Sequence, residues 1–242
     1  MRNTVTVALA ALGVSAVCFA VQAAIPHDDP DFTLPFWGLL GFDNGKPSCR
    51  TDRSNRAIAT RNFAWDGEDS VAIRMPGTIR YRRGIGDAVS VRAKGWVLDH
   101  VRVENGRIEF DCRNIGDIGR VEIALPGVPL RSFSFAGAGK MYLDDLQQDE
   151  LKIDTAGATS VEANGQAESA NVSIAGIGKI DMGRLTARRL GVRIAGSGDV
   201  EVSPQDSADI SIAGTGRVRL LTEPKELSTH IAGSGRVLHG SK

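Results

Sequence analysis

Asp181 and Glu201 come nearest in this sequence to a catalytic arrangement. They stand 20 positions apart, at equivalent places in successive copies of a short repeat. Stacked at the spacing of neighbouring strands, about 4.8 Å, their carboxyls would lie about 5 Å apart, as the nucleophile and acid of a retaining glycosidase do. The chemistry on offer would be cleavage of an acidic polysaccharide. Against it, Arg219 follows in the same column, and the only aromatic there, Tyr142, is at the far end. Other groupings offer less. His27, His100, His230 and His239 are scattered, and none accompanies a nucleophile and an acid in a recognisable motif. Of these, His239 is expected to point inward at the end of the repeat. Asp28, Asp29 and Asp31 read as a solvated acidic linker. Gly196 to Glu201 is similar to a calcium-binding β-roll repeat, but its acidic residue does not recur in the neighbouring copies. Gly137-Ala138-Gly139-Lys140 ends like a phosphate-binding loop, but Ser134 and Met141 break that pattern. No catalytic residue, metal or cofactor is expected.

The elements that would position such residues follow from a repeat. Ala136-Gly137-Ala138-Gly139 recurs at Ala156, Ala175, Ala195, Ala213 and Ala232, at intervals of 20, 19, 20, 18 and 19 residues. A period of that size marks a solenoid. Before each alanine stands Phe135, Thr155, Ile174, Ile194, Ile212 or Ile231, and two residues earlier Phe133, Ile153, Val172, Val192, Ile210 or Thr229. After each corner come Met141, Val161, Ile180, Val200, Val218 or Val237. Apolar and polar positions alternate, as on strands with one buried face. The expected fold is all-β: a right-handed parallel β-helix with coils of about 19 residues, over residues 120–240. Glycine at the corners would supply positive φ. Thr159, which replaces the second glycine of one copy, should make that corner looser or differently bent.

The outward columns are the candidate binding face. One contains Lys140, Ser160, Lys179, Asp199, Arg217 and Arg236; the other contains Tyr142, Glu162, Asp181, Glu201, Arg219 and Leu238. They form either a mixed-charge groove for a polysaccharide or a solvated face. Loose pairs on a solvated face would contribute under about 1 kcal/mol each, and this is the simpler account.

Residues 1–24 have the form of an export signal: Arg2, an apolar run from Val5 to Val21, then Val21-Gln22-Ala23. The run is short for a stable membrane span, so none is expected after cleavage. Residues 25–56 read as a linker or N-terminal cap with the apolar island Phe32 to Leu40. Residues 57–119 are β-rich, with no convincing helix. Removing the signal leaves Cys49 and Cys112, either a disulfide suited to an oxidising compartment or two buried thiols; the even count favours the bridge. With 29 basic and 29 acidic residues, bulk charge gives no case for nucleic acid.

The A-G-x-G corners with alternating strands, preceded by Val121 to Gly127 and Ser132-Phe133-Ser134-Phe135, resemble the GIN domain, a family of secreted bacterial proteins described as autotransporter-adhesin heads. The resemblance runs from about Ala57 to Gly240. It implies a β-helical fold and an exported setting, periplasmic or on the outer surface of a Gram-negative bacterium, and brings no catalytic residues with it. The expected function is a non-enzymatic, adhesin-like or structural binding module for an envelope polysaccharide or protein. The alternatives are the polysaccharide-active enzyme above and a module that self-associates through its C-terminal coil, whose strand edges look open.

Overall fold

The computed structural model describes residues 46–49 and 55–240. The expected export signal, the Phe32 to Leu40 island and Asp28, Asp29 and Asp31 lie outside the described residues. Among the described residues, no helix is long and apolar enough to cross a membrane.

The fold is all-β. In chain order the strands are β1 (Ile58–Ala64), β2 (Ser70–Arg74), β3 (Gly77–Arg82) and β4 (Ala88–Lys94), then the helical turn α1 (Gly95–Leu98). They continue as β5 (Val101–Glu104), β6 (Arg107–Phe110), β7 (Glu122–Ala124), β8 (Ser132–Leu220), β9 (Glu226–Gly233) and β10 (Arg236–His239). The helical turn was not anticipated; four residues are too few to show a helical period, and its Trp96, Val97 and Leu98 are all buried.

β8 is an uninterrupted extended run of 89 residues. Laid out straight it would measure about 290 Å. Instead, equivalent glycines lie on one another: a Cβ added at Gly157 would meet the Gly137 carbonyl oxygen at 2.3 Å, one at Gly176 would meet that of Gly157 at 2.6 Å, and one at Gly196 would meet that of Gly176 at 2.4 Å. The pairing beyond β8 keeps the same step. β9 runs parallel to Ser207–Gly214 with Ile212 opposite Ile231, and β10 runs parallel to Arg217–Leu220 with Val218 opposite Val237.

The columns begin earlier than the repeat motif does. β2 and β3 also pair in parallel with β8, setting Val71 beside Phe133, Ile73 beside Phe135, Ile79 beside Met141 and Tyr81 beside Leu143. Met75-Pro76-Gly77 stands where later repeats have A-G-x-G, with Gly77 opposite Gly139. These side chains are buried and hold the first repeat to the antiparallel pairs β1–β4, β4–β7 and β5–β6. Tyr81 meets the Phe133 ring edge-on at 5.1 Å. Its hydroxyl donates to the Val128 carbonyl at 2.8 Å and accepts from the Leu130 N–H at 3.3 Å. Burial pushes its phenol above the ordinary value.

The two corner glycines do different work. The first is left-handed: Gly196 has φ +124°. The second, such as Gly178, has no positive φ; a Cβ there would come within 2.7 Å of Ile174 Cγ2, so it makes room for the isoleucine column. A Cβ at Gly198 would lie 3.2 Å from both Ile174 and Ile194, and one at Gly216 would lie 3.0 Å from Ile212 and 3.2 Å from Ile194. The three isoleucines therefore form one interior row.

In the copy that carries Thr159 the corner glycine Gly157 has φ +106°, against +119° to +128° at Gly176, Gly196, Gly214 and Gly233, and Thr155 and Thr159 are both buried. Thr155 lacks the δ-carbon of the isoleucine found in the later copies, and Thr159 takes the room the second glycine leaves elsewhere. Thr155 Oγ1 donates to the Ser173 carbonyl at 3.3 Å, whereas Thr159 Oγ1 has no partner among the described residues. Thr155→Ile alone should overpack the site and lose about 1–3 kcal/mol. Thr155→Ile with Thr159→Gly rebuilds the corner of the other repeats and should recover most of that loss. Urea unfolding of the single and double variants checks this, and additive effects would count against the exchange.

Candidate binding face

Strand alternation sends every second residue of each repeat outward, so the polar face inherits its order from the buried columns. Lys140, Lys179, Asp199, Arg217, Arg219 and Arg236 are exposed, whereas Tyr142, Glu162, Asp181 and Glu201 are half-buried. Arg217 pairs with Asp199 at 3.3 Å and Arg219 with Glu201 at 3.3 Å. Opposite charges thus alternate up part of the ladder and are satisfied within it. Exposed pairs of this kind contribute little to stability.

Asp181 and Glu201 both stand beside Gly183. A Cβ added at Gly183 would be 3.1 Å from Glu201 Oε1 and 3.4 Å from Asp181 Oδ1. Each already has a partner: Asp181 Oδ1 accepts from the Gly183 N–H at 3.1 Å, and Glu201 is held by Arg219. The Arg80 guanidinium lies over one face of the Tyr142 ring, 4.8 Å from its centroid. Arg80 belongs to β3, and its place in the ladder could not be read from the repeat.

Cys49 and Cys112 form a disulfide with their Cα atoms 4.9 Å apart. His100 lies beside it, and its ring nitrogen and the two sulfurs fall within 4.8 Å of one another. The sulfurs are spent on each other, and metal ligation needs thiolates. His100 Nδ1 is 3.0 Å from Asp111 Oδ1, and Asp111 also pairs with Arg102. The cluster anchors residues 46–49, where Lys46 reaches Glu109 at 2.7 Å and the Cys49 N–H donates to the Arg113 carbonyl at 2.8 Å.

Two of the acid-rich sites are turn and corner fasteners. Asp66 accepts from the Asn105 and Gly106 N–H groups, which hold its carboxyl below the usual range. Asp206 is held low by Lys225 at 2.6 Å and Arg188 at 2.9 Å.

The last repeat differs from the others. Ile212 is fully buried, yet Ile231, next in its column, is 40% exposed, as is Leu227, and Leu238 is 38% exposed. His239 was expected to point inward and is exposed. No further repeat covers this edge among the described residues, so its inward Leu227 and Ile231 face solvent, whereas Val237 still packs against the core.

Stacked side-chain columns inside and a paired polar ladder outside define an all-β repeat protein. Residues 103–224 match the family described as "Putative auto-transporter adhesin, head GIN domain", and the chain belongs to that family. It is similar to a "putative adhesin" from Bacteroides fragilis at 18% identity and TM-score 0.60, over 76% of this chain and 98% of that one. It is also similar to a "Putative lipid binding protein" from Parabacteroides distasonis at 18% identity and TM-score 0.49, over 77% and 98%. A comparison with curated proteins finds no match.

Proposed function

We propose that this chain is an exported, non-enzymatic binding module whose repeats wind as a right-handed parallel β-helix and present a polar face to an envelope polysaccharide or protein. The observation that carries this is the glycine column: Gly157, Gly176, Gly196, Gly214 and Gly233 each sit against the glycine one repeat earlier. A chain that returns in parallel after each step lays its outward side chains in continuous ladders, a surface suited to an extended partner. Right-handedness follows from the crossover rule for parallel strands. The reading divides the chain into a cleaved signal over 1–24, a linker or cap over 25–56, a β-rich lead-in over 57–119 and coils over 120–240. Export is supported by the sequence of residues 1–24 and by the family's description as an adhesin head. The open last repeat adds a second copy of the chain as a candidate partner.

The test is a binding screen of the mature protein against envelope extract and a glycan array. Retention of a polymer, weakened by charge reversal at Lys179 and Arg217, is the expected result; no retention of any envelope component would end the proposal. The placement of Asp181 and Glu201 beside Gly183 favours one second reading, glycan cleavage. No turnover is expected on a broad glycan panel. Turnover abolished by Asp181→Asn would replace the binding reading with an enzymatic one.

A further inference from the structure

β9 is an open edge of the repeats. On one side it pairs in parallel with β8, and among the described residues no strand pairs with its other side. A strand bonded on one side only keeps a row of backbone N–H and C=O groups aimed outward along the edge, ready for a further strand. Its inward side chains are open too. Leu227, Thr229 and Ile231 stand beside Ala208, Ile210 and Ile212, which are buried, whereas Leu227 and Ile231 are each 40% exposed.

The other edge strands among the described residues are blunted by charge, and this one is not. β1 carries Arg61 at its centre, β5 carries Arg102 and Glu104, and β10 begins with Arg236. β9 has no Lys, Arg or Pro, and its single acidic residue, Glu226, is its first. Charged side chains and proline are the usual means of discouraging edge pairing. At the opposite end of the repeats, β2 and β3 are each paired once more, in parallel with β6 and β7. That end therefore presents no matching open strand. What fits β9 is another β9.

Two copies that meet through the same surface are related by a two-fold axis, which sets the strands antiparallel. A one-residue slip would bring inward side chains against outward ones. With the axis at Thr229, the strands pair from Glu226 to Ala232, and Leu227 lies opposite Ile231 of the second copy. Thr229 then faces its own counterpart, Ser228 faces His230 and Glu226 faces Ala232, so no like charges oppose one another.

We propose that the chain forms a two-fold dimer through antiparallel pairing of β9 with β9, continuing the buried columns from one copy into the next. This rests on the second copy named above as a candidate partner and gives it a strand and a register.

The test is analytical ultracentrifugation of the mature protein across a dilution series. The expected result is a monomer–dimer equilibrium with no larger species. Thr229→Lys sets two ammonium groups opposite each other on the axis and should weaken dimerisation about tenfold or more. Thr229 is exposed, so the single chain has room for the lysine. Ile177, at a corner tip, is 68% exposed, and Ile177→Lys should leave dimerisation unchanged. Register is read with cysteine, because directly opposite Cβ atoms in an antiparallel pair lie about 4.5–5.5 Å apart. Oxidised glutathione should therefore link Thr229→Cys into a covalent dimer and leave Ile177→Cys unlinked. Monomers alone at the highest concentration would overturn the proposal, as would dimers indifferent to Thr229→Lys and not linked through Thr229→Cys. Growth into open-ended oligomers would overturn the two-fold. If no dimer forms but envelope polymer is still retained, this inference alone fails; if dimers form and no envelope component is retained, the polymer-binding role ends and the dimer stands.

Discussion

Gly196→Val is expected to abolish cooperative folding, while Ser197→Val one residue later changes stability by no more than about 0.5 kcal/mol. Gly196 sits at φ +124°, where a β-branched residue is a severe outlier. A Cβ there would be 2.4 Å from the Gly176 carbonyl oxygen and 3.2 Å from its carbonyl carbon. Those atoms are backbone in the neighbouring repeat and cannot swing aside. Relief would require separating two repeats over the isoleucine row, so backbone strain and lost packing add to about 4 kcal/mol or more. Ser197 is exposed at the corner's tip and meets neither constraint. Thermal melts and near-ultraviolet circular dichroism of the two variants make the comparison. Equal tolerance would mean the corners are not where the repeats touch.

Replacing Cys49 and Cys112 together by serine should lower stability by up to about 4 kcal/mol. The bond closes a loop with a sequence separation of 63, and chain entropy in the unfolded state sets that scale. The loss should concentrate where residues 46–49 meet β6 and in the antiparallel strands before the repeats. There the bond adds to the Lys46 to Glu109 ion pair and the Cys49 to Arg113 hydrogen bond. Guanidinium unfolding with and without a thiol reductant, read beside the double serine variant, measures it. Reductant should move the native protein to the variant's midpoint and leave the variant unmoved; an unchanged native midpoint under full reduction would remove the bond's stabilising role.

The buried columns were legible in the sequence because a constant step puts like residues over like. Phe135, Ile174, Ile194 and Ile212 announce themselves by period alone. The same signal failed where the period carried no matching letters. β2 and β3 continue the columns through Met75-Pro76-Gly77, a corner of different composition, and only long-range pairing reveals that Ile79 lies beside Met141. Arg80 over Tyr142 was hidden for the same reason. His239 is exposed although it stands beside the inward Leu220, because an inward position is buried only where another repeat covers it. Among candidate site residues, the ladder could be named but its satisfaction could not: whether Arg217 and Arg219 meet Asp199 and Glu201 depends on rotamers.

The unbroken strand run from Ser132 to Leu220 also bears on how such a chain can change length over evolutionary time. Gaining or losing one residue within an alternating stretch would turn the side chains after it from the interior to the solvent, so the differences among steps of 18, 19 and 20 residues are taken up outside the A-G-x-G corners, which keep four residues in every copy. Adding or deleting a whole repeat would present the next glycine and the next isoleucine to an equivalent seat. Descendants of this gene should therefore differ in length by whole repeats, with smaller indels confined to the stretches between one A-G-x-G corner and the next, where the present repeats already differ.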